Sequence, residues 1–215
     1  MIIWTPESGQ VRQEYQGPVQ PGPPPEPRQY LSGVEINQIF DRLKWSVLGS
    51  PSDVEIFSLG AKDKPQWTQL FSESVLDEAA TDPSLSHLKI CIEPLHSWED
   101  WAHSDSRHLR PAPLSIENTD GRPISVRQYI QAVHEYAVPL RSLLCQCCGI
   151  WGEENDEQAR FYYQCTMGGS RALTPEYPCP ELYIYLMEDT EEDGHGLKSH
   201  LECIETLYRK QLASS

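Results

Sequence analysis

The sequence predicts an α+β domain: a mixed or antiparallel sheet packed by several amphipathic helices, with a disordered proline-rich N-terminal tail. Three observations predict it. Short runs with period-2 alternation at 53–59, 87–93, 159–166 and 181–188 read as strands, while 3.6-period spacing at 125–147 and 197–212 reads as helix. No internal repeat is visible, and the order of the elements favours helices on one side of a sheet. Composition also changes near residue 32, which divides the chain into a tail over 1–32 and a single α+β domain over 33–215.

In the tail, seven of the 18 prolines fall within the first 30 residues, five of them between Pro21 and Pro27. Proline fixes φ and has no backbone donor, so this stretch predicts extended polyproline II or a loose linker. Such a segment buries too little apolar surface to order itself. The alternative is a ligand for a proline-recognising domain.

The elements of the domain follow in order. Ile36, Ile39, Phe40 and Leu43 recur at helical spacing and predict a short helix over 34–46, stopped by Gly49-Ser50-Pro51. Residues 53–59 predict a strand that Gly60 ends. Trp67, Leu70, Phe71, Val75 and Leu76 predict a second helix, closed near Asp82-Pro83. His87 to Glu93 alternates strictly, with Leu88, Ile90 and Ile92 on one face. Pro94 to Pro113 reads as a long loop, unusual in a compact domain. Leu114 to Glu117 is a short strand ending at the Asp120-Gly121 turn signal. Ser125 and Gln128 fit a capping box. Val126, Tyr129, Ile130, Val133, Tyr136, Ala137 and Leu140 then line one helix face, and Pro139 must kink or split that helix. Leu143, Leu144 and Cys147 continue it. Two strands over 159–166 and 181–188 precede a closing helix whose inner face is Leu197, Leu201, Ile204, Tyr208 and Leu212.

Charge narrows the function. The chain carries 32 acidic and 17 basic side chains, a net charge of -15. That repels phosphate backbones and predicts no nucleic-acid partner. The apolar runs fall short of the roughly 20 residues a membrane-spanning helix needs, so no membrane role is expected. Met1 to Glu7 lacks the basic and apolar regions of a secretory signal. The seven cysteines, an odd number, read as free thiols of a reduced compartment. Together these predict a cytoplasmic or nuclear protein.

Two segments are candidates for chemistry. Within residues 94–108 lie three histidines, three carboxylates and two tryptophans. Imidazole and carboxylate can capture zinc or non-haem iron, so His96, Asp100 and His103 are the catalytic candidates if the segment coils. The spacing matches no recognised catalytic motif, and there is no H-E-x-x-H helix. Otherwise Trp98 and Trp101 pack back on the sheet or are presented to a protein partner. The second segment is Cys145-Gln146-Cys147-Cys148. Structural zinc uses two close cysteine pairs, and only one close group is present, so core thiols are expected and zinc at Cys145, Cys147 and Cys148 is the weaker alternative. No basic neighbour in sequence activates Cys145 or Cys148. No G-x-S-x-G, P-loop or G-x-G-x-x-G occurs, and no cofactor is expected.

Much of the excess charge sits in Glu153-Glu154-Asn155-Asp156-Glu157 and Glu188-Asp189-Thr190-Glu191-Glu192-Asp193. Neither run has a calcium-loop pattern. They read as solvated loops, or as a surface on which Glu153, Glu154, Glu191 and Glu192 meet a basic partner.

Residues 113–136, with the strand, the Asp-Gly turn and the capped helix, resemble a stretch of uncharacterised fungal proteins carrying a domain of unknown function. Leu88 to Ile92 followed by a Trp-containing loop is similar as well. The resemblance covers about a quarter of the chain. It implies a fungal origin and an α+β domain, and it carries over no catalytic residue.

The leading expectation is therefore a non-catalytic protein–protein interaction or accessory module, with a protein partner of basic character. The rival is a small enzyme, metal-dependent or not, built on residues 94–108.

Overall fold

The computed structural model describes residues 33–97, 110–152, 157–168, 179–189 and 195–214. The tail expected over 1–32 lies outside the described residues. In chain order the strands are β1 (Glu35–Ile36), β2 (Leu43–Lys44), β3 (Glu55–Leu59), β4 (Pro65–Gln69), β5 (Thr81–Asp82), β6 (His87–Ile92), β7 (Leu114–Glu117), β8 (Arg160–Gly168) and β9 (Glu181–Asp189). The helices are α1 (Glu93–His96), α2 (Val126–Ala137), α3 (Arg141–Cys147) and α4 (His195–Ser214).

The expected α+β architecture is present, and its sheet is mixed. Four strands run in the order β7-β6-β9-β8. β6 is antiparallel to β7 and parallel to β9, and β9 is antiparallel to β8. The register pairs Ile90 with Leu182 and Ile92 with Ile184. Because side chains alternate along a strand, these four and Leu88 share one buried face. The buried side of α2, with Val126, Tyr129, Ile130, Val133 and Ala137, joins the same apolar cluster. Cys91 and Tyr183 oppose each other on the other face.

The outer edge of β8 is covered by the chain itself. Val47 donates its backbone N–H to Phe161 at 2.9 Å, and Tyr163 donates to Trp45 at 2.8 Å. From there the chain enters a three-stranded antiparallel sheet, β2-β3-β4. Phe40, Trp45, Tyr129 and Tyr163 meet at this junction, with Trp45 stacked on Tyr163 at 5.3 Å and Phe40 edge-on to Tyr129 at 4.9 Å. Edge and offset geometries of this kind suit the ring quadrupole.

Two expected helices are absent, for one physical reason. Over 34–46 the chain forms a 3₁₀ turn, Gln38–Arg42, between the two-residue strands β1 and β2. Asn37 caps the turn by accepting from the Ile39 N–H at 3.0 Å, and its amide donates to the Ala79 carbonyl at 2.9 Å. Long-range pairing with 79–82 outweighs a helix-like spacing of apolar residues. Around Trp67 the chain is strand β4, with Trp67 opposite Phe57, followed by 3₁₀ turns at Leu70–Ser72 and Ser74–Asp77. Pro65 opens that strand at the sheet edge, where its missing N–H costs no ladder bond.

Locally encoded elements match the sequence. Ser125 accepts from the Gln128 N–H at 3.2 Å and Gln128 Oε1 accepts from the Ser125 N–H at 3.0 Å, closing the capping box. Gly121 takes φ 76°, the left-handed conformation that the preceding turn requires. Pro139 breaks the helix into α2 and α3 through a 3₁₀ turn at Val138–Leu140. Two details are corrected: the loop expected from Pro94 begins with the helical turn α1, and Leu212, placed on the inner face of α4, is 53% exposed.

Candidate binding surface on the C-terminal helix

α4 carries two of the five large apolar side chains that are exposed among the described residues. Among its described side chains only Ile204 is fully buried, while Leu207 is 47% and Leu212 53% exposed. It is pinned at a few points. Tyr208 packs edge-on to Phe57 at 5.7 Å and takes the Arg42 guanidinium over its ring at 5.0 Å, while Arg209 donates to the Asp63 carbonyl at 3.0 Å.

Depressions flank the helix on two sides. On one, a hollow of about 380 Å³ is lined by Trp67, Asp189, Leu197, Lys198, Leu201, Glu202 and Glu205. On the other, a hollow of about 190 Å³ among Phe40, Leu43, Cys165, His200 and Ile204 adjoins a shallow one of about 430 Å³ that includes Arg42, Tyr208 and Lys210; Asp41 and Leu207 line both. The two flanks differ in charge. The Trp67 side carries three carboxylates against Lys198. The other carries Asp41, Arg42 and Lys210. Burial pushes the Asp41 carboxyl up, partly offset by Arg42.

The residues expected to do chemistry are distributed otherwise. His96 is 7% exposed at the end of α1. Its Nδ1 donates to the Ile92 carbonyl at 3.0 Å, which leaves Nε2 as a buried acceptor with no partner among the described residues. Arg110 donates to the His96 carbonyl at 3.0 Å. Burial holds the His96 imidazole below its usual range, and the nearby Arg110 charge adds to that. Close by, the buried Cys91 thiol donates to Glu181 Oε1 at 3.3 Å. Burial, and then the hydrogen bond and charge of Glu181, push that thiol up to about 12. A thiol held protonated in this way is not a nucleophile, because the reactive form is the thiolate. Asp100, His103, Trp98 and Trp101 lie outside the described residues.

The cysteine group does not assemble a site. Cys145 is fully buried on α3, and Cys147 and Cys148 are half-buried with thiols pushed by burial to about 12. Among the described residues no three histidine, cysteine, aspartate or glutamate side chains converge as metal ligands. All seven cysteines are free thiols. Of the binding candidates, Glu153, Glu154, Glu191 and Glu192 lie outside the described residues, and Asp189 of the second acidic run stands on the groove beside Trp67.

No family model, curated protein or solved structure matches this chain. The groove was not visible in the sequence because its floor draws on Trp67, a residue that reads as helical until β3 offers it a strand partner. The signal that was available is the i, i+4 pair Leu197 and Leu201 beside Lys198, Glu202 and Glu205, an apolar strip edged by charge.

Proposed function

We propose that this protein is a non-catalytic interaction module that engages a protein partner through the surface of α4, in the cytoplasm or nucleus. One observation carries the reading: a 20-residue helix that, among its described side chains, commits only Ile204 fully to the interior, leaving Leu197 and Leu201 part-exposed and Leu207 and Leu212 in solvent. Trp67, Leu197 and Leu201 line one hollow rimmed by charged side chains, and apolar surface so rimmed marks binding sites in soluble proteins. The net charge of -15 favours a basic partner and opposes nucleic acid. Among the described residues no helix is long and apolar enough to cross a membrane, and the free thiols suit a reducing compartment.

The test is affinity capture with the immobilised full chain, beside the triple variant Leu201→Glu, Leu207→Glu, Leu212→Glu, which places charge on both flanks of the helix. A partner retained by the parent at low salt, weakened at higher salt and lost in the variant supports the reading. A partner set identical for parent and variant overturns it.

A second reading, a small enzyme on residues 94–108, draws on the Nε2 of buried His96, which has no partner among the described residues. Metal analysis of the purified protein tests its metal-dependent form: stoichiometric zinc, iron or manganese that is lost in His96→Gln favours it.

A further inference from the structure

We propose that the groove floored by Trp67, Leu197 and Leu201 and edged by Asp189, Glu202 and Glu205 receives a basic amphipathic helix of a partner protein. This rests on the interaction reading above and assigns the flank of α4 and the chemistry of its ligand.

The floor fits a helix. Leu197 and Leu201 are one turn apart, so their side chains form a ridge with a repeat of about 6 Å along α4. A second helix presenting apolar residues at i and i+4 meshes with such a ridge, and Trp67 adds an aromatic surface to the same floor. The edge fits a cation. Lys198, Glu202 and Glu205 follow one another at i, i+4 and i+7, which puts them in a row beside the leucines. Glu205 is engaged by Arg209 at 2.9 Å. Glu202 and Asp189 have no ion pair among the described residues, so their charge is available to a ligand. In sequence Asp189 is followed by Glu191, Glu192 and Asp193, all of the same sign.

Charge also decides between the flanks and between occupants. Across α4 the hollow beside Leu207 holds Arg42 and Lys210 against Asp41, a balance that does not attract a basic ligand. The chain's own first 30 residues hold Glu7, Glu14 and Glu26 against Arg12 and Arg28, so they do not supply a basic helix. A second copy would bring another acidic body. A basic segment of a different protein is the occupant with complementary charge.

The experiment is isothermal titration of the full chain with a synthetic peptide of roughly 18 residues, long enough to be helical, with leucine at i, i+3, i+4 and i+7 and lysine at most other positions. A scrambled peptide of equal composition is the control for charge alone. The expected result is binding at least about tenfold tighter for the patterned peptide. Glu202→Lys with Asp189→Lys should weaken it by at least about tenfold and flatten its salt dependence, because edge charges set encounter and salt response. Leu207→Glu, on the opposite flank, should leave it unchanged. Loss in Leu207→Glu but not in the edge variant overturns the choice of groove and leaves the interaction reading standing. Equal binding of the two peptides, no binding at all, or a groove-dependent dimer of the free protein overturns the ligand assignment, and the capture experiment then judges the interaction reading separately.

Discussion

His96 and His200 are both held below the usual histidine range, chiefly by burial, which penalises the charged ring; a hydrogen bond to the backbone, at Ile92 and at Tyr163 respectively, partly opposes it. Each is therefore neutral in the fold at a pH where the unfolded chain, near the ordinary 6.5, already takes a proton. The unfolded state binds more protons, so stability is full above that value and is lost as pH falls through it. Urea midpoints measured from about pH 7.5 to about pH 5.5 should fall, and the fall should shrink in His96→Gln or His200→Gln. Asp41 and Glu188, raised by burial, act in the opposite sense at lower pH. Comparing each variant with its parent isolates the imidazole. A fall equally steep in both variants would remove the histidines from the account. The thiols give a second residue-level test. Cys203 is exposed, whereas Cys91 is buried with its thiol near 12, so iodoacetamide should alkylate Cys203 first in native protein, as read by peptide mass mapping. Early labelling of Cys91 would contradict its burial against Glu181. The sequence shows both histidines, but not their burial: that depends on Arg110 returning to the end of β6 and on α4 lying against β8.

At the scale of elements, α2 is the best-defined helix because its signals are local. The capping box closes its first turn, and Asn118 ties the preceding turn to it: the Asn118 amide donates to the Arg122 and Pro123 carbonyls at 3.0 and 3.1 Å, and Gln128 Nε2 donates back to Asn118 Oδ1 at 3.0 Å. Ser125→Ala removes the acceptor for the Gln128 N–H and should cost about 1 kcal/mol, the usual worth of an N-cap. Thermal or urea unfolding of the variant measures it, and no change would mean that Asn118 and solvent already satisfy that turn. The same contrast explains what the sequence could and could not reveal. β6, β7, β8, β9, α2 and the break at Pro139 rest on alternation, capping and proline sterics within a few residues of each position. The segments around Phe40 and Trp67 rest on distant partners, Ala79–Thr81 for one and Phe57 for the other, and their apolar spacing alone mimics a helix. A 3₁₀ turn repeats every three residues, so the buried Ile39 and Phe40 followed by Leu43 also fall on the i, i+3, i+4 spacing of an α-helix.

Across the molecule, stability is unevenly distributed, and the two longer helices mark its extremes. α2 buries five side chains, whereas among its described side chains α4 fully buries Ile204 alone, supported by the Tyr208 contacts and the Arg209 hydrogen bond to Asp63. Elements with little buried apolar surface open with free energies below that of global unfolding. The charge of -15 acts in the same direction, since nine of the 32 acidic residues lie in the two runs 153–157 and 188–193, the second of which leads directly into α4. Amide exchange followed by mass spectrometry should therefore show α4 exchanging faster than α2 in the parent. Ile204→Ala removes the main apolar anchor, a change that in cores costs about 2–5 kcal/mol. If α4 opens as its own unit, the variant should accelerate exchange in α4 and leave α2 amides unaffected. It should also weaken capture of a partner, because the groove beside Trp67 exists only while Leu197 and Leu201 are held in place. Parallel acceleration of α2 and α4 would instead make α4 part of a single cooperative core, and its exposed leucines would then be a fixed surface that binding need not order.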